Sequence, residues 1–189
     1  DHRDLHSFPT RRSSDLKYWN IGVEQEPPVT QKTAPSVWEE YLKLHRNGQW
    51  LLALVQVNRL VEYDPKQVEI WRVKARLHGV LGHCSCCICA IEALLQLTPN
   101  DLEGLRMQVM FLHCNDSLEQ ALSICDTVLA TNPGHADFWA LKADILKSHG
   151  RHEDAARACR RALKIHPDCV AALRIQETLG EGVNFGDSI

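Results

Sequence analysis

The chain has 189 residues, of which 44% are hydrophobic and 24% are charged, and its formal net charge at pH 7 is −3. This composition is typical of a globular protein and not of a disordered chain. The small net charge provides no basic field for nucleic acid or for an anionic membrane surface. No apolar run reaches the length that crosses a bilayer. We therefore expect neither a nucleic-acid partner nor a membrane partner.

The first segment, residues 1–16, reads DHRDLHSFPTRRSSDL and matches one reading frame of a 5′ adapter used in short-read sequencing libraries. We interpret it as translated adapter and leave it out of the fold prediction. The first methionine is Met107, which leaves open how far the natural protein extends on the N-terminal side. Residues 17–33 follow and are predicted to form an irregular linker around Pro27 and Pro28.

Four prolines further along the chain recur at a spacing of 34 residues. A fixed period of this length indicates a repeat array, because unrelated loops do not keep such a spacing. One repeat cannot bury its own apolar face, whereas stacked repeats can. The prolines are Pro65, Pro99, Pro133 and Pro167, and they define the repeats 34–67, 68–101, 102–135 and 136–169.

The fourth repeat shows the clearest internal pattern. It has an aromatic residue, a small residue four positions later, a glycine in the middle and two alanines before the closing proline. This order resembles the tetratricopeptide repeat, a helix-turn-helix unit whose first and second helices are called helix A and helix B. The resemblance covers residues 34–169. The matching residues of the fourth repeat are Trp139, Ala143, Gly150, Ala155, Ala162 and Pro167.

The other three repeats keep the spacing but depart from the pattern at single positions. Tyr41 and Val109 replace the small residue of helix A, and Asp116 replaces the glycine between the helices. Cys87 stands where an alanine opens helix B in the other repeats. The glycines at the equivalent turns are expected to have positive φ, which costs glycine little.

The resemblance implies an all-α fold, a right-handed superhelical solenoid of helix-turn-helix pairs. A further helix is predicted over residues 168–179, with Leu173 at the aromatic position. One interpretation is the polar capping helix that such arrays carry, and the other is the first half of a fifth repeat. Gln176, Glu177 and Thr178 favour the cap. The repeat domain is thus predicted over residues 34–179, followed by a flexible tail, 180–189.

A cluster of four cysteines and one histidine occupies residues 83–89 and invites a zinc hypothesis. The spacing is not that of two CxxC knuckles. In the repeat pattern Cys87 takes a buried position and Cys84 a partly buried one, while Cys86 and Cys89 face elsewhere. We therefore predict packing cysteines, with a metal or redox role as the weaker alternative. The chain is expected to need no cofactor and no metal.

Two further cysteines, Cys125 and Cys159, share one helix B core position in the third and fourth repeats, which supports a packing role. The chain has eight cysteines without a disulfide-scaffold layout, so a reducing compartment, the cytoplasm, is predicted. The sequence contains no nucleophile elbow, no Gly-rich phosphate loop and no zinc-protease motif. The histidines lie mostly at turns. An enzyme active site is therefore not predicted.

The remaining candidate for function is the concave face, which helix A lines in this family. Three arginines beside an adaptable methionine would hold a peptide that carries acidic and apolar groups. The alternative is a solvated charged face with ion pairs along each helix, such as Glu69 with Arg72. The candidate contacts are Glu69, Arg72, Arg76, Arg106, Met110, His113, Asp137, Asp144, Lys147 and Arg174.

One subfamily of these proteins clamps the C-terminal carboxylate of a chaperone with a lysine and an arginine on the third helix A. Here Glu103 and Met107 occupy those two positions, so a chaperone-tail partner is disfavoured. The sequence instead predicts a non-enzymatic scaffold or adaptor that binds a peptide or protein segment. The alternative is the regulatory repeat arm of a longer enzyme or signalling protein that is truncated at its N-terminus.

Overall fold

The structure is a computed structural model, and it describes residues 35–180. The predictions for residues 1–16, for the linker 17–33 and for the tail beyond Gly180 lie outside this range. Within it, all regular elements are α-helices. They are α1 (Pro35–Arg46), α2 (Trp50–Tyr63), α3 (Val68–Leu81), α4 (Cys84–Leu97), α5 (Leu102–Cys114), α6 (Leu118–Thr131), α7 (Ala136–Ser148), α8 (His152–Ile165) and α9 (Val170–Leu179).

The first eight helices follow one another in pairs, and each pair lies within one 34-residue repeat. The second helices begin 34 residues apart, at Trp50, Cys84, Leu118 and His152. The partners in the pairs α1–α2, α3–α4 and α7–α8 pack against each other. The predicted all-α repeat architecture is therefore confirmed. Among the described residues, no helix is long and apolar enough to span a membrane.

The described residues form two compact units, 35–107 and 108–180, which divide within α5. In the first unit the core gathers around Trp38, Val57 and Ile70, each at most 2% exposed. These residues come from α1, α2 and α3, so helices of two repeats bury their apolar faces together. The core of the second unit includes Cys125, Phe138, Ile145, Cys159 and Ile175.

The turn between the two helices of each repeat needs a left-handed residue. Gly48, Gly82 and Gly150 have φ of +69°, +76° and +75°, as the sequence predicted. The third repeat uses Asp116 at the equivalent position with φ of +55°, and within the described range it is the one residue other than glycine with positive φ. An L-residue is strained in this region because its Cβ approaches the following carbonyl.

The small residue that opens helix B is fully enclosed in every repeat. Ala53, Cys87, Ala121 and Ala155 are each at most 1% exposed. The Cys87 thiol donates a hydrogen bond to the carbonyl oxygen of Ala75, at 3.4 Å between heavy atoms. Cys87 therefore acts as a small buried residue, and this prediction is confirmed.

Trp71 of helix A lies at the junction between two repeats and is half-buried. Its indole nitrogen donates a hydrogen bond to the carbonyl oxygen of Pro65, at 2.8 Å. The ring thus fixes the end of one repeat to the start of the next by a hydrogen bond as well as by packing.

The predicted helix after Pro167 is present as α9, and it packs against α7 and α8. Ala172 and Ile175 face this contact and are at most 4% exposed. The outward side of α9 is mixed, since Val170 is 60% exposed and the polar Glu177 is exposed as well.

Candidate functional site

The first compact unit carries a line of charged side chains on its helix A segments. We call the set Glu69, Arg72, Arg76, Asp101, Glu103 and Arg106 the charged ladder. It contains the same Glu-x-x-Arg motif twice, once on α3 and once on α5, 34 residues apart. Every member is half-buried rather than fully exposed.

Arg72 lies at the centre of the ladder and pairs with two carboxylates. Its Nη1 donates to Glu69 on the same helix, and its Nη2 donates to Oδ2 of Asp101 at 2.6 Å. The other oxygen of Asp101 accepts the backbone N–H of Gly104 at 2.7 Å, in the first turn of α5. Asp101 therefore caps α5 and ties it to α3 at the same time.

The other two arginines of the ladder are also paired. Arg76 Nη2 lies 3.7 Å from Oε1 of Glu69. Arg106 binds Glu103 with two hydrogen bonds, from Nε at 2.7 Å and from Nη2 at 2.6 Å. Planar two-point pairs of this kind fix the guanidinium orientation.

These ion pairs change the prediction for the concave face. The three arginines are not a purely cationic surface, and the pairing of Glu69 with Arg72, the alternative in the sequence prediction, is present. Met110 is only 4% exposed, so its side chain belongs to the core and does not line an open surface. The prediction that Met110 contacts a ligand therefore has to be withdrawn.

The second compact unit holds the remaining predicted contacts on α7 and α9. Lys147 pairs with Asp144 at 3.6 Å and donates to Oγ1 of Thr178 at 3.1 Å. Arg174 and Asp137 are exposed. Lys147 and Thr178 also line an open cleft of about 800 Å³ between the α7–α8 turn and the end of α9, a feature that the repeat pattern did not indicate.

His113 and His149 come together in this unit, with ring centroids 5.5 Å apart. The Nε2 of His113 lies 3.3 Å from Oγ of Ser148, and Nδ1 of His149 lies 2.9 Å from the carbonyl oxygen of Ile145. Ser148 Oγ also hydrogen-bonds the carbonyls of its own helix. The group therefore closes the end of α7 rather than presenting a reactive serine.

Another histidine was missed because nothing in its sequence context marks it as buried. His78 is 6% exposed, and its Nδ1 lies 3.4 Å from Nδ1 of His83. Burial lowers the pKa of His78 to about 4, and the neighbouring charges of His83 and Lys74 add to the effect. A buried imidazole with this pKa is neutral at physiological pH.

The cysteine cluster divides as the repeat pattern predicted. Cys84 is half-buried, while Cys86 and Cys89 are exposed. In the cores, burial raises the pKa of Cys125 to about 12 and also raises the pKa of Cys159. In the part of the chain that the structure describes, no three His, Cys, Asp or Glu side chains are grouped so that they could hold a metal ion.

Comparisons with known sequences also find the helical repeat. A tetratricopeptide repeat family model matches residues 115–177. The protein O-mannosyl-transferase TMTC1 of mouse is 27% identical over 126 residues, which cover 64% of this chain. They cover only 13% of that relative, so the chain corresponds to a small part of the longer protein's length.

Solved structures show the same fold at low sequence identity. MamA of Desulfovibrio magneticus RS-1 aligns with a TM-score of 0.63 at 16% identity, over 82% of this chain and 96% of that one. TTC0263, a TPR protein of Thermus thermophilus, gives 0.63 at 19% identity, over 77% and 82%. YrrB, described as a TPR protein with an unusual peptide-binding site, gives 0.52 at 17% identity, over 77% and 92%. The chain therefore has the fold of tetratricopeptide repeat proteins, and residues 115–177 match the model of that family.

Proposed function

We propose that the chain is a non-enzymatic adaptor that binds a peptide or protein segment on the helix A side, through the charged ladder. The observation that supports this most directly is the recurrence of half-buried Glu–Arg pairs at one repeat position on α3 and α5. Exposed ion pairs contribute little to stability. Pairs that are held in place beside a surface instead offer fixed donors and acceptors to a ligand.

The ligand is expected to carry both signs of charge. Within the ladder, three arginines face three carboxylates, so neither sign predominates. A ligand carboxylate can share Arg106 with Glu103, while a ligand lysine or arginine can approach Glu69. In the superhelix that this family builds, helix A lines the concave face, which suits an extended segment. YrrB, a solved structure with this fold, is described as having an unusual peptide-binding site.

The test is selection of binding peptides from a displayed library, followed by titration of the selected peptides with the purified chain. Arg72→Glu combined with Arg106→Glu should weaken binding at least tenfold, since both guanidinium groups are lost. Arg59→Glu, on the outer face of α2, is the matched control and should leave the affinity within twofold. Circular dichroism checks that helicity is unchanged. Equal affinity for wild type and double variant would place the binding site elsewhere.

A second candidate is the repeat arm of a longer enzyme. The match to part of the mouse mannosyl-transferase favours it, since the aligned region covers 13% of that protein. In that case the interaction surface serves the longer protein, whose activity lies outside the repeats. Sequencing the transcript across the junction of Leu16 and Lys17 tests this. A frame that continues upstream into a catalytic region supports the arm, and a start codon just before Lys17 supports the small adaptor.

We also propose that the protein works in a reducing compartment such as the cytoplasm. None of the eight cysteines, all of which fall in the described range, forms a disulfide. Extracellular proteins with this many cysteines usually pair them. Fractionation of cells that express a tagged chain checks the location, and recovery from an oxidising compartment would contradict it.

A further inference from the structure

The outer face of α8 differs from the outer face of every other helix B. Arg157, Arg160, Arg161 and Lys164 are all exposed, and we call these four residues the basic stripe. Their spacing places them on one side of the helix, over about two turns and roughly 10 Å. The opposite side of α8 is formed by buried alanines and Cys159.

The other repeats provide an internal control for this composition. A residue 34 positions earlier occupies the same place on the preceding helix B, so the fold itself presents the four positions equally in each repeat. If the fold required cations there, the other helices would carry them. They hold one cation and three carboxylates instead. The equivalent residues are Val55, Asn58, Arg59 and Glu62 on α2, Cys89, Glu92, Ala93 and Gln96 on α4, and Ser123, Asp126, Thr127 and Ala130 on α6.

One arginine of the stripe is held in place by an aromatic ring. The guanidinium carbon of Arg161 lies 5.3 Å from the ring centroid of Trp139, within the range of a cation–π contact. The indole nitrogen of Trp139 is itself fixed by a hydrogen bond to the carbonyl of Pro133. A second cation, Lys142, lies over the same ring at 5.7 Å. Arg161 therefore loses little conformational freedom when it binds an anion.

Asp154 on α8 is shared between the stripe and a neighbouring arginine. Asp154 pairs with Arg157, but it also accepts two hydrogen bonds from Arg151, at 2.9 and 2.7 Å. The hydrogen bond from Arg151 is the main reason why the pKa of Asp154 is lowered. The side chain of Arg157 is still 66% exposed, so it remains accessible to a ligand.

From these observations we propose that the basic stripe docks an acidic protein segment rich in Asp and Glu, on a surface separate from the charged ladder. A stripe one helix wide fits a single peptide chain. A flat anionic membrane would also meet the carboxylate of Asp126 on α6, which is exposed and pairs with Lys142 beside the ring that holds Arg161. A nucleic acid would need a wider basic surface, which the near-neutral chain does not carry.

A labelled octaglutamate peptide, titrated into the full chain and followed by fluorescence anisotropy, tests the proposal. We expect binding at low salt that weakens steeply as the salt concentration rises. Arg160→Glu with Lys164→Glu should weaken it about tenfold or more. Arg161→Lys keeps the charge but loses the planar guanidinium, and we expect a loss of about threefold or more. Arg59→Glu is the matched control, because it occupies the position of Arg161 on α2, and it should stay within twofold.

Several results would overturn the proposal. They are a failure of octaglutamate to bind the wild type at low salt, and equal binding by the double variant and the wild type. Binding of the wild type to phosphatidylserine vesicles or to duplex DNA, without binding to octaglutamate, would assign the stripe to a different class of partner. Loss of octaglutamate binding on Arg59→Glu would show that the effect is one of net charge alone. Because the substituted residues are exposed, all variants should keep the helicity of the wild type.

Discussion

The indole nitrogen of Trp139 donates a hydrogen bond to the carbonyl oxygen of Pro133, at 2.9 Å. Trp71 and Pro65 make the same bond two repeats earlier, at 2.8 Å. In both places the proline closes one repeat and the tryptophan belongs to the first helix of the next. The bond therefore fixes the connection between consecutive repeats where the helical hydrogen bonds of one repeat have ended.

Trp139→Phe should lower the free energy of unfolding by about 1 kcal/mol, because the ring remains while the hydrogen bond is lost. Trp139→Ala should cost about 2–4 kcal/mol, less than for a fully buried ring, since Trp139 is half-buried. Urea denaturation of both variants measures this. Trp71→Phe should lower the free energy of unfolding by a similar amount, because Trp71 makes the same hydrogen bond. A neutral Trp139→Phe with a costly Trp139→Ala would mean that packing alone holds the connection.

The left-handed turns predict opposite effects for two substitutions. Asp116→Gly should raise the free energy of unfolding by up to about 1 kcal/mol, because glycine relieves the strain at φ of +55°. Gly82→Ala should lower it by about 1 kcal/mol, although a Cβ at Gly82 would meet nothing within 4 Å, so that the cost is conformational only. Thermal or urea unfolding provides the values. Equal stability of wild type and Gly82→Ala would show that the turn relaxes.

Local backbone needs and repeat spacing were predictable from the sequence, while side-chain pairing between different helices was not. The positions of Gly48 and Cys87 follow from the 34-residue period, since the same steric demand recurs in every repeat. The pair of Arg72 with Glu69 follows from their spacing on one helix, but the pair with Asp101 did not follow, because Asp101 lies 29 residues away along the chain and only packing of α3 near α5 brings them together. Burial of Met110 was missed for a similar reason, because a family position defines a face but not how closely neighbours cover it.

The buried histidine of α3 predicts a pH dependence of stability. The pKa of His78 is about 4 in the folded chain against an ordinary value of 6.5, so between these values the unfolded chain binds more protons. The free energy of unfolding should therefore be highest above about pH 6.5 and should fall as the pH decreases toward 4. The contribution of His78 to this loss is on the order of 1–2 kcal/mol. The comparison is urea unfolding at pH 7.5 and pH 5.0.

His78→Gln provides the control, since glutamine does not titrate. The difference in stability between wild type and His78→Gln should shrink or reverse at pH 5.0, because only the wild type is destabilised by keeping the imidazole neutral. A difference that stays the same at both pH values would show that His78 protonates freely in the folded chain, and the acid sensitivity would then have another origin.

Asp101 makes two contacts, one that caps α5 and one that positions Arg72, and substitution can separate them. One oxygen accepts the N–H of Gly104 and the other accepts Nη2 of Arg72. Asp101→Ala removes both contacts and should cost about 1–2 kcal/mol. Asp101→Ser keeps a side-chain oxygen that can cap α5 but loses the carboxylate for Arg72, so most of the stability should return.

The same pair of variants links the ladder to function. If Asp101 serves only to start α5, then Asp101→Ser should bind the selected peptides like the wild type. If it also orients Arg72 for a ligand, then Asp101→Ser should weaken binding severalfold while its unfolding free energy stays close to that of the wild type. Unchanged affinity in both Asp101→Ser and Asp101→Ala would argue that the guanidinium of Arg72 needs no fixed orientation, and the ladder would then have a structural role only.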